Sequence, residues 1–328
     1  MRNFYYSDYM HFHYPVLRQI VIVSFALLLI FSGMLLTPNH NANTASSSNN
    51  DSESYTITET APTPSALQPL RIPPDAIEAE SAVVYDVLTK TTLFDKAAAD
   101  AKPLASISKL MTALVVAELL AEDTPIVVSS EAVAQYGNSG LREGERITAK
   151  NLTHYAILSS SNDAAYALAY AIGEQLYPGE GSQPFVDAMN IRAEELGLTT
   201  TEFQNPTGLD ISEVEIGAVG SANDISTLMT YILKHHPELL TSTQMTGSRI
   251  YNEQGEYHYA ANTNQLVQEI PSILGSKTGY TDLAGGNLTV AFDAGFNRPV
   301  IVTVLGSTYQ GRFTDMDKLI TAITAQWQ

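Results

Sequence analysis

The chain has 328 residues, 45% of them apolar and only 16% charged, a composition that excludes a disordered chain and allows a sizeable core. Its formal net charge of −18 argues against nucleic acid as a partner, because such a surface repels phosphates. There is no cysteine, so disulfides, thiolate metal sites and a cysteine nucleophile are excluded together.

Ile20 to Leu36 (IVIVSFALLLIFSGMLL) is an uninterrupted run of apolar or small residues that reaches the lower limit for spanning a bilayer. Arg2 and Arg18 precede it and no Lys or Arg follows until Arg71, so the positive-inside rule predicts a cytoplasmic tail over residues 1–19 and an extracytoplasmic remainder. Small-x-small cleavage sites after the run are poor, which favours a retained signal anchor at 20–36 over a cleaved signal peptide. Residues 37–69, rich in Asn, Ser, Thr, Ala and Pro, bury too little to fold and are expected to be a disordered tether. The expectation is therefore a single-pass protein of the cell membrane whose folded domain, 70–328, faces outward.

Within that domain Ser81 to Asp86 and Thr91 to Phe94 predict a β-hairpin. Ser106 to Leu120 (SISKLMTALVVAELL) is apolar on nearly every face and predicts a helix buried through the domain. After a polar turn at Leu141 to Arg146, Thr148 caps a helix to Leu158, and Asn162 or Asp163 caps an Ala-rich helix through Leu176. Pro184 marks the first turn of a helix that stops at Gly197. Ser221 and Asp224 form a capping-box-like start for a helix to Lys234. Three β-rich segments follow, Gly275 to Thr281, Asn287 to Asp293 and Val300 to Leu305, and a last helix is expected over Met316 to Trp327. Strands at both ends with helices between them predict an α+β fold: one antiparallel sheet built from both ends of the domain, flanked by helices, with an inserted mostly helical lobe.

Three short motifs carry chemistry. Ser106 and Lys109 stand at i and i+3, one turn apart on one face, where a lysine in apolar surroundings loses its proton readily and can activate a hydroxyl. Roughly one Ser-x-x-Lys arises by chance in a chain this long, and its plain reading is a capping serine with a snorkelling lysine. Ser160-Ser161-Asn162 lies between two predicted helices, where it serves either as a polar cleft loop or as an ordinary N-cap. Lys277-Thr278-Gly279 opens a strand and combines a cation, a hydroxyl and a glycine that lets a substrate backbone approach, a set suited to a peptide carboxylate.

In this order the motifs resemble the low-molecular-weight penicillin-binding proteins, the serine D-alanyl-D-alanine carboxypeptidases of β-lactamase/DD-peptidase-like fold. The resemblance runs from about Ala82 to Ile320 and includes ASISKLMTAL (105–114), SSSNDAA (159–165), FQNPTGLD (203–210), KTGYTDLAG (277–285) and GSTYQGRF (306–313). It implies Ser106 as nucleophile, Lys109 as base and Ser160 as proton relay. It also implies that Asn162 holds the substrate amide, that Lys277, Thr278 and Arg312 receive the terminal carboxylate beside Gly279, and that the N–H groups of Ser106 and Tyr280 form an oxyanion hole. Peptidoglycan stem peptides ending in D-Ala-D-Ala are the implied substrate and β-lactams the implied covalent inhibitors, with no cofactor and no metal. Taken without the resemblance, Arg312 reads as a surface residue.

Departures accompany the likeness. Ser161 stands where these enzymes often have glycine, and Ile211 to Gly220 does not follow their pattern. The C-terminal β domain and amphipathic anchor of many relatives are not expected, and the N-terminal span would replace that anchor. A class A β-lactamase is disfavoured because no Glu-x-x-Leu-Asn lies between Asn162 and Lys277 to activate water. A cross-link D,D-endopeptidase would use the same residues, and a non-catalytic wall-binding sensor would have no need of the full set. The seven histidines form no ligand set: His11 and His13 precede the apolar run, His235 and His236 fit a helix C-terminus, and His154 reads as lobe packing.

Overall fold

The structure is a computed structural model that describes residues 67–295 and 297–327. The expected tail, anchor and tether through residue 66 lie outside the described residues, and among those described no helix is long and apolar enough to cross a membrane. Three residues assigned to the tether by composition belong with the folded part. Leu67 is buried, and Gln68 exchanges two hydrogen bonds with Gln326 at 2.8 and 2.9 Å.

The domain opens with a hairpin, β1 (Ser81–Asp86) and β2 (Thr91–Lys96), then a short strand β3 (Lys102–Pro103). A 3₁₀ turn over Ala105–Ser108 leads into α1 (Lys109–Leu119). The helical lobe is formed by β4 (Pro125–Val127), α2 (Ser130–Val133), β5 (Arg146–Thr148), α3 (Ala149–Leu158), α4 (Asn162–Leu176) and α5 (Gln183–Glu195). Two short strands follow, β6 (Glu202–Phe203) and β7 (Ala218–Gly220), then α6 (Ala222–His235) and α7 (Glu238–Thr241). A hairpin, β8 (Gly247–Tyr251) and β9 (Tyr257–Ala261), precedes the long strands β10 (Ile273–Thr281), β11 (Gly285–Asp293) and β12 (Pro299–Ser307). Helix α8 (Gly311–Thr324) is the last.

The main sheet is antiparallel in the order β10-β11-β12-β1-β2, so the two ends of the domain complete one sheet as expected. Ser81 pairs with Leu305 and Asp86 with Val300 where the ends meet. Successive strand residues point to opposite faces. Val84, Val290, Val302 and Val304 therefore pack with Phe313, Met316 and Leu319 of α8. Val83, Ala291, Ile301 and Leu305 join the larger core around α1 and the helical lobe. Helix α1 runs through that core with Leu110, Met111, Leu114, Val115 and Val116 all buried, each worth about 1.5–3 kcal/mol of transfer free energy.

Several expected boundaries move for local reasons. Ser106 sits in the 3₁₀ turn, not inside the α-helix. The cap of α4 is Ser161, whose hydroxyl accepts from Ala164 N at 3.0 Å, and not Asn162 or Asp163. Ser221 does cap α6, but Asp224 does not close a capping box: its Oδ2 accepts instead from the Thr200 N–H and from the Thr200 and Thr201 hydroxyls. Helix α8 begins at Gly311, five residues ahead of the expected Met316, because Thr308 Oγ1 accepts the Gly311 N–H. The β8–β9 hairpin has no counterpart among the expected elements.

Candidate active site

Ser106 is presented by a tightly held turn. Ala105 before it has φ of 48°, a left-handed conformation uncommon for a residue with a Cβ. Neighbouring backbone fixes that geometry: Leu104 N–H donates to Ala218 O at 2.9 Å, and Asn287 Nδ2 donates to the carbonyls of Pro103 and Leu104 at 2.9 and 3.0 Å. On the other side runs β10. A Cβ added at Gly279 would lie 2.7 Å from Leu104 O and 3.2 Å from the backbone nitrogens of Ser106 and Ile107, so only glycine lets this strand lie against the turn. The result is a hydroxyl at the start of a buried helix, where the helix dipole favours developing negative charge.

Lys109 is fully buried, and its Nζ contacts Ser106 Oγ, Asn162 Oδ1 and Thr207 O, each at 2.7 Å. The last two oxygens can only accept. A neutral amine has two hydrogens for them, which leaves its lone pair facing the Ser106 hydroxyl. Burial, and then the nearby charge of Lys277, hold Lys109 well below the usual lysine range, so the neutral form is favoured. The Ser106–Lys109 pair is thus a nucleophile with its base in hydrogen-bond contact.

Lys277, on β10, is also buried, and burial followed by repulsion from Arg312 lowers it to about 7. Its Nζ donates to Ser160 Oγ at 2.9 Å and to Thr278 O at 2.8 Å. Ser160 has φ of 62°, which turns the loop between α3 and α4 so that its hydroxyl reaches Lys277. Ser161, the departure from glycine, points away: it caps α4 and donates to Ser139 Oγ at 2.7 Å. Thr278 Oγ1 is 2.6 Å from Thr263 Oγ1, and Tyr280 is exposed at the rim.

Arg312 is buried, against the expectation from its residue type. Its Nη1 donates to Gly279 O at 2.7 Å, and its guanidinium lies 4.5 Å from the Tyr309 ring and 5.9 Å from that of Tyr280. Its Nε has no hydrogen-bond partner, so one donor of a buried cation is left over at this end of the cleft. All nine residues singled out by motif and resemblance are thereby linked around Ser106, β10 and the loop before α4.

Other contributors carried no motif of their own. Thr207 acts through its carbonyl, which sequence cannot show, although the Asn-Pro pair in FQNPTGLD marks the turn. Asn205 Oδ1 shapes that turn by accepting from Thr207 N, Thr207 Oγ1 and Gly208 N. Tyr136 O accepts from Asn162 Nδ2 at 2.7 Å and ties the cleft to the loop after α2. Ile211 to Gly220, the other departure, contributes β7, which pairs with β3 immediately before the Ser106 turn. Among the described residues no group of acidic and histidine side chains is arranged to hold a metal ion.

The chain is similar to known proteins in sequence and in fold. Residues 68–308 match the family described as Peptidase S11, D-alanyl-D-alanine carboxypeptidase. A D-alanyl-D-alanine carboxypeptidase of Bacillus subtilis is 32% identical over 77% of this chain, and the match spans 64% of that relative's length. A D-alanyl-D-alanine endopeptidase of Escherichia coli is 31% identical, over 79% of this chain and 78% of its own. Among solved structures, penicillin-binding protein D2 of Listeria monocytogenes in an ampicillin-bound form is similar at a TM-score of 0.64, with 29% identity over 75% of this chain and 97% of that one. A Streptomyces K15 DD-transpeptidase mutant is similar at a TM-score of 0.67, with 26% identity over 76% of this chain and 98% of its own.

Proposed function

The chain belongs to the D-alanyl-D-alanine carboxypeptidase family, and from that premise we propose that it removes the terminal D-alanine of peptidoglycan stem peptides through an acyl-enzyme on Ser106. The observation that carries this reading is the buried Lys109, with two of its three contacts fixed acceptors and its third the Ser106 hydroxyl. Ser106 Oγ attacks the carbonyl of the penultimate D-alanine as its proton passes to Lys109 Nζ. The oxyanion is met by the backbone N–H groups of Ser106 and Tyr280. The C–N bond then breaks, and the proton on Lys109 returns to the leaving amine by way of the Ser160 hydroxyl. Water attacks the ester with Lys109 again taking a proton, and Ser106 recovers its own.

Lys277, Thr278 and Arg312 receive the substrate's terminal carboxylate, and the Asn162 amide has a second N–H for the peptide carbonyl. β-Lactams enter as covalent inhibitors at the same serine, a reading supported by the ampicillin-bound form of the similar Listeria protein. Intact-mass measurement after exposure to a penicillin tests the proposal: one adduct is expected on the native chain and none on Ser106→Ala, which should also release no D-alanine. An adduct on the alanine variant would refute the nucleophile assignment. The similar endopeptidase supports a second reading, cleavage of cross-links by the same residues, for which an internal amide bond would be as good a substrate as a free C-terminus.

For localisation, the apolar run at 20–36 with Arg2 and Arg18 before it supports a retained anchor with the domain outside the membrane. The full chain should stay in the membrane fraction after a carbonate wash. Its recovery in the soluble fraction would overturn that reading.

A further inference from the structure

The β8–β9 hairpin has two unlike faces. Ile250, His258 and Ala260 point inward: Ile250 and Ala260 are buried, His258 Nε2 is 2.7 Å from Glu145 Oε1, and its ring stacks on Tyr155 at 5.8 Å. The opposite face is set by the register, which pairs Arg249 with Tyr259 and Tyr251 with Tyr257. It carries three tyrosines and one arginine. Tyr251, Tyr257 and Tyr259 are 45%, 51% and 64% exposed, an unusual concentration of aromatic surface on one small ribbon.

These side chains support one another. Tyr251 and Tyr257 pack at 5.8 Å between centroids, and the Arg249 guanidinium lies 4.8 Å from the Tyr257 ring. A Cβ at Gly247 would come within 2.4 Å of the Tyr259 hydroxyl, so the Tyr259 side chain lies over the glycine. No large aliphatic residue shares this face. Exposed tyrosine rings and a neighbouring guanidinium match the surface of a sugar ring, which offers C–H groups on its faces and hydroxyl or amide groups around its edge.

The ribbon is continuous with the cleft. Tyr259 is four residues from Thr263, whose hydroxyl touches Thr278, so at most about 13 Å of extended chain separates them. Arg146 Nε to Glu253 at 2.7 Å and Asn151 Nδ2 to Tyr251 O at 2.8 Å fasten the hairpin to the helical lobe that carries Ser160 and Asn162.

We propose that the outer face of the 247–261 hairpin, formed by Arg249, Tyr251, Tyr257 and Tyr259, is a binding platform for the N-acetylhexosamine rings of a polysaccharide, holding a glycan strand beside the cleft. The proposal rests on the functional reading above in that wall glycan carries the stem peptides the cleft would cut. The test is co-sedimentation of the full-length chain with insoluble glycan strands stripped of their peptides, with turnover of a soluble D-Ala-D-Ala tripeptide measured alongside. Tyr257→Ser with Tyr259→Ser alters only exposed rings and should weaken sedimentation about tenfold, with tripeptide kcat/KM unchanged. Arg249→Gln should act in the same direction. Failure of the native chain to bind peptide-free glycan, or equal binding by the double variant, overturns the platform. Equal losses on glycan and tripeptide would overturn it too, since the hairpin would then act by supporting the cleft. Binding that depends on the tyrosines, in a chain that releases no D-alanine, would leave the platform standing and remove the carboxypeptidase reading instead.

Discussion

Gly279→Ala tests how closely β10 must lie against the nucleophile's turn. The new Cβ would sit 2.7 Å from Leu104 O, and ordinary contact begins at 3.4 Å, so turn and strand must part by about 0.7 Å (3.4 − 2.7). Neither side yields easily. Asn287 holds the turn through the Pro103 and Leu104 carbonyls, and Arg312 Nη1 with the β11 ladder holds the strand. Overpacking of this kind costs about 1–3 kcal/mol, equivalent to a melting temperature lower by roughly 3–10 °C in a domain of this size. The effect on rate should be larger. Separation of Ser106 from the Tyr280 N–H by a sizeable fraction of an ångström loosens the oxyanion site, and acylation should slow about 10²-fold. Stopped-flow acylation by a fluorescent penicillin, with thermal melts on the same preparations, reads both numbers. Acylation within threefold of the native rate at an unchanged melting temperature would refute the argument that this contact positions the nucleophile.

Lys109→Arg should lower acylation about 10²–10⁴-fold although it keeps the charge, because a guanidinium cannot give up a proton at working pH; a native rate would make Lys109 an electrostatic residue. The pH profile of kcat/KM should be a bell, rising as the depressed Lys109 loses its proton and falling as Lys277 loses its own near pH 7, the two steps belonging to the coupled pair. In the substrate complex the carboxylate favours charged Lys277, so the falling limb of kcat should move to higher pH; a falling limb unchanged in Lys277→Arg would refute the assignment. Arg312→Ala should lose about 1.5–3 kcal/mol in kcat/KM on a peptide with a free C-terminus and less on its amide. Equal losses would show that Arg312 acts by holding the Gly279 carbonyl.

How much of this was legible in the sequence depended on distance along the chain. The hairpin β1–β2, the helices starting after Thr148 and Ser221, and the three C-terminal strands follow from side-chain alternation and caps within a few residues, and each lies close to where the pattern put it. Ser106 and Lys109 are one turn apart, so their meeting was readable as well. The hairpin at 247–261 was not, because its pattern is broken by Asn252 to Glu256 and its inward face is short. It forms where Ile250, His258 and Ala260 find a partner surface on the helical lobe.

The electrostatic state of the site depends on contacts between segments far apart in the chain. Lys109 is held between Asn162 and the Thr207 carbonyl, Lys277 reaches Ser160 across 117 positions, and Arg312 lies under Tyr309 with its Nη1 on Gly279. A motif names the residue types that can do this chemistry. Whether a lysine is a base or a cation is set by how much water and which oxygens surround it, and those are contributed by segments that meet only when the sheet closes over the helical lobe.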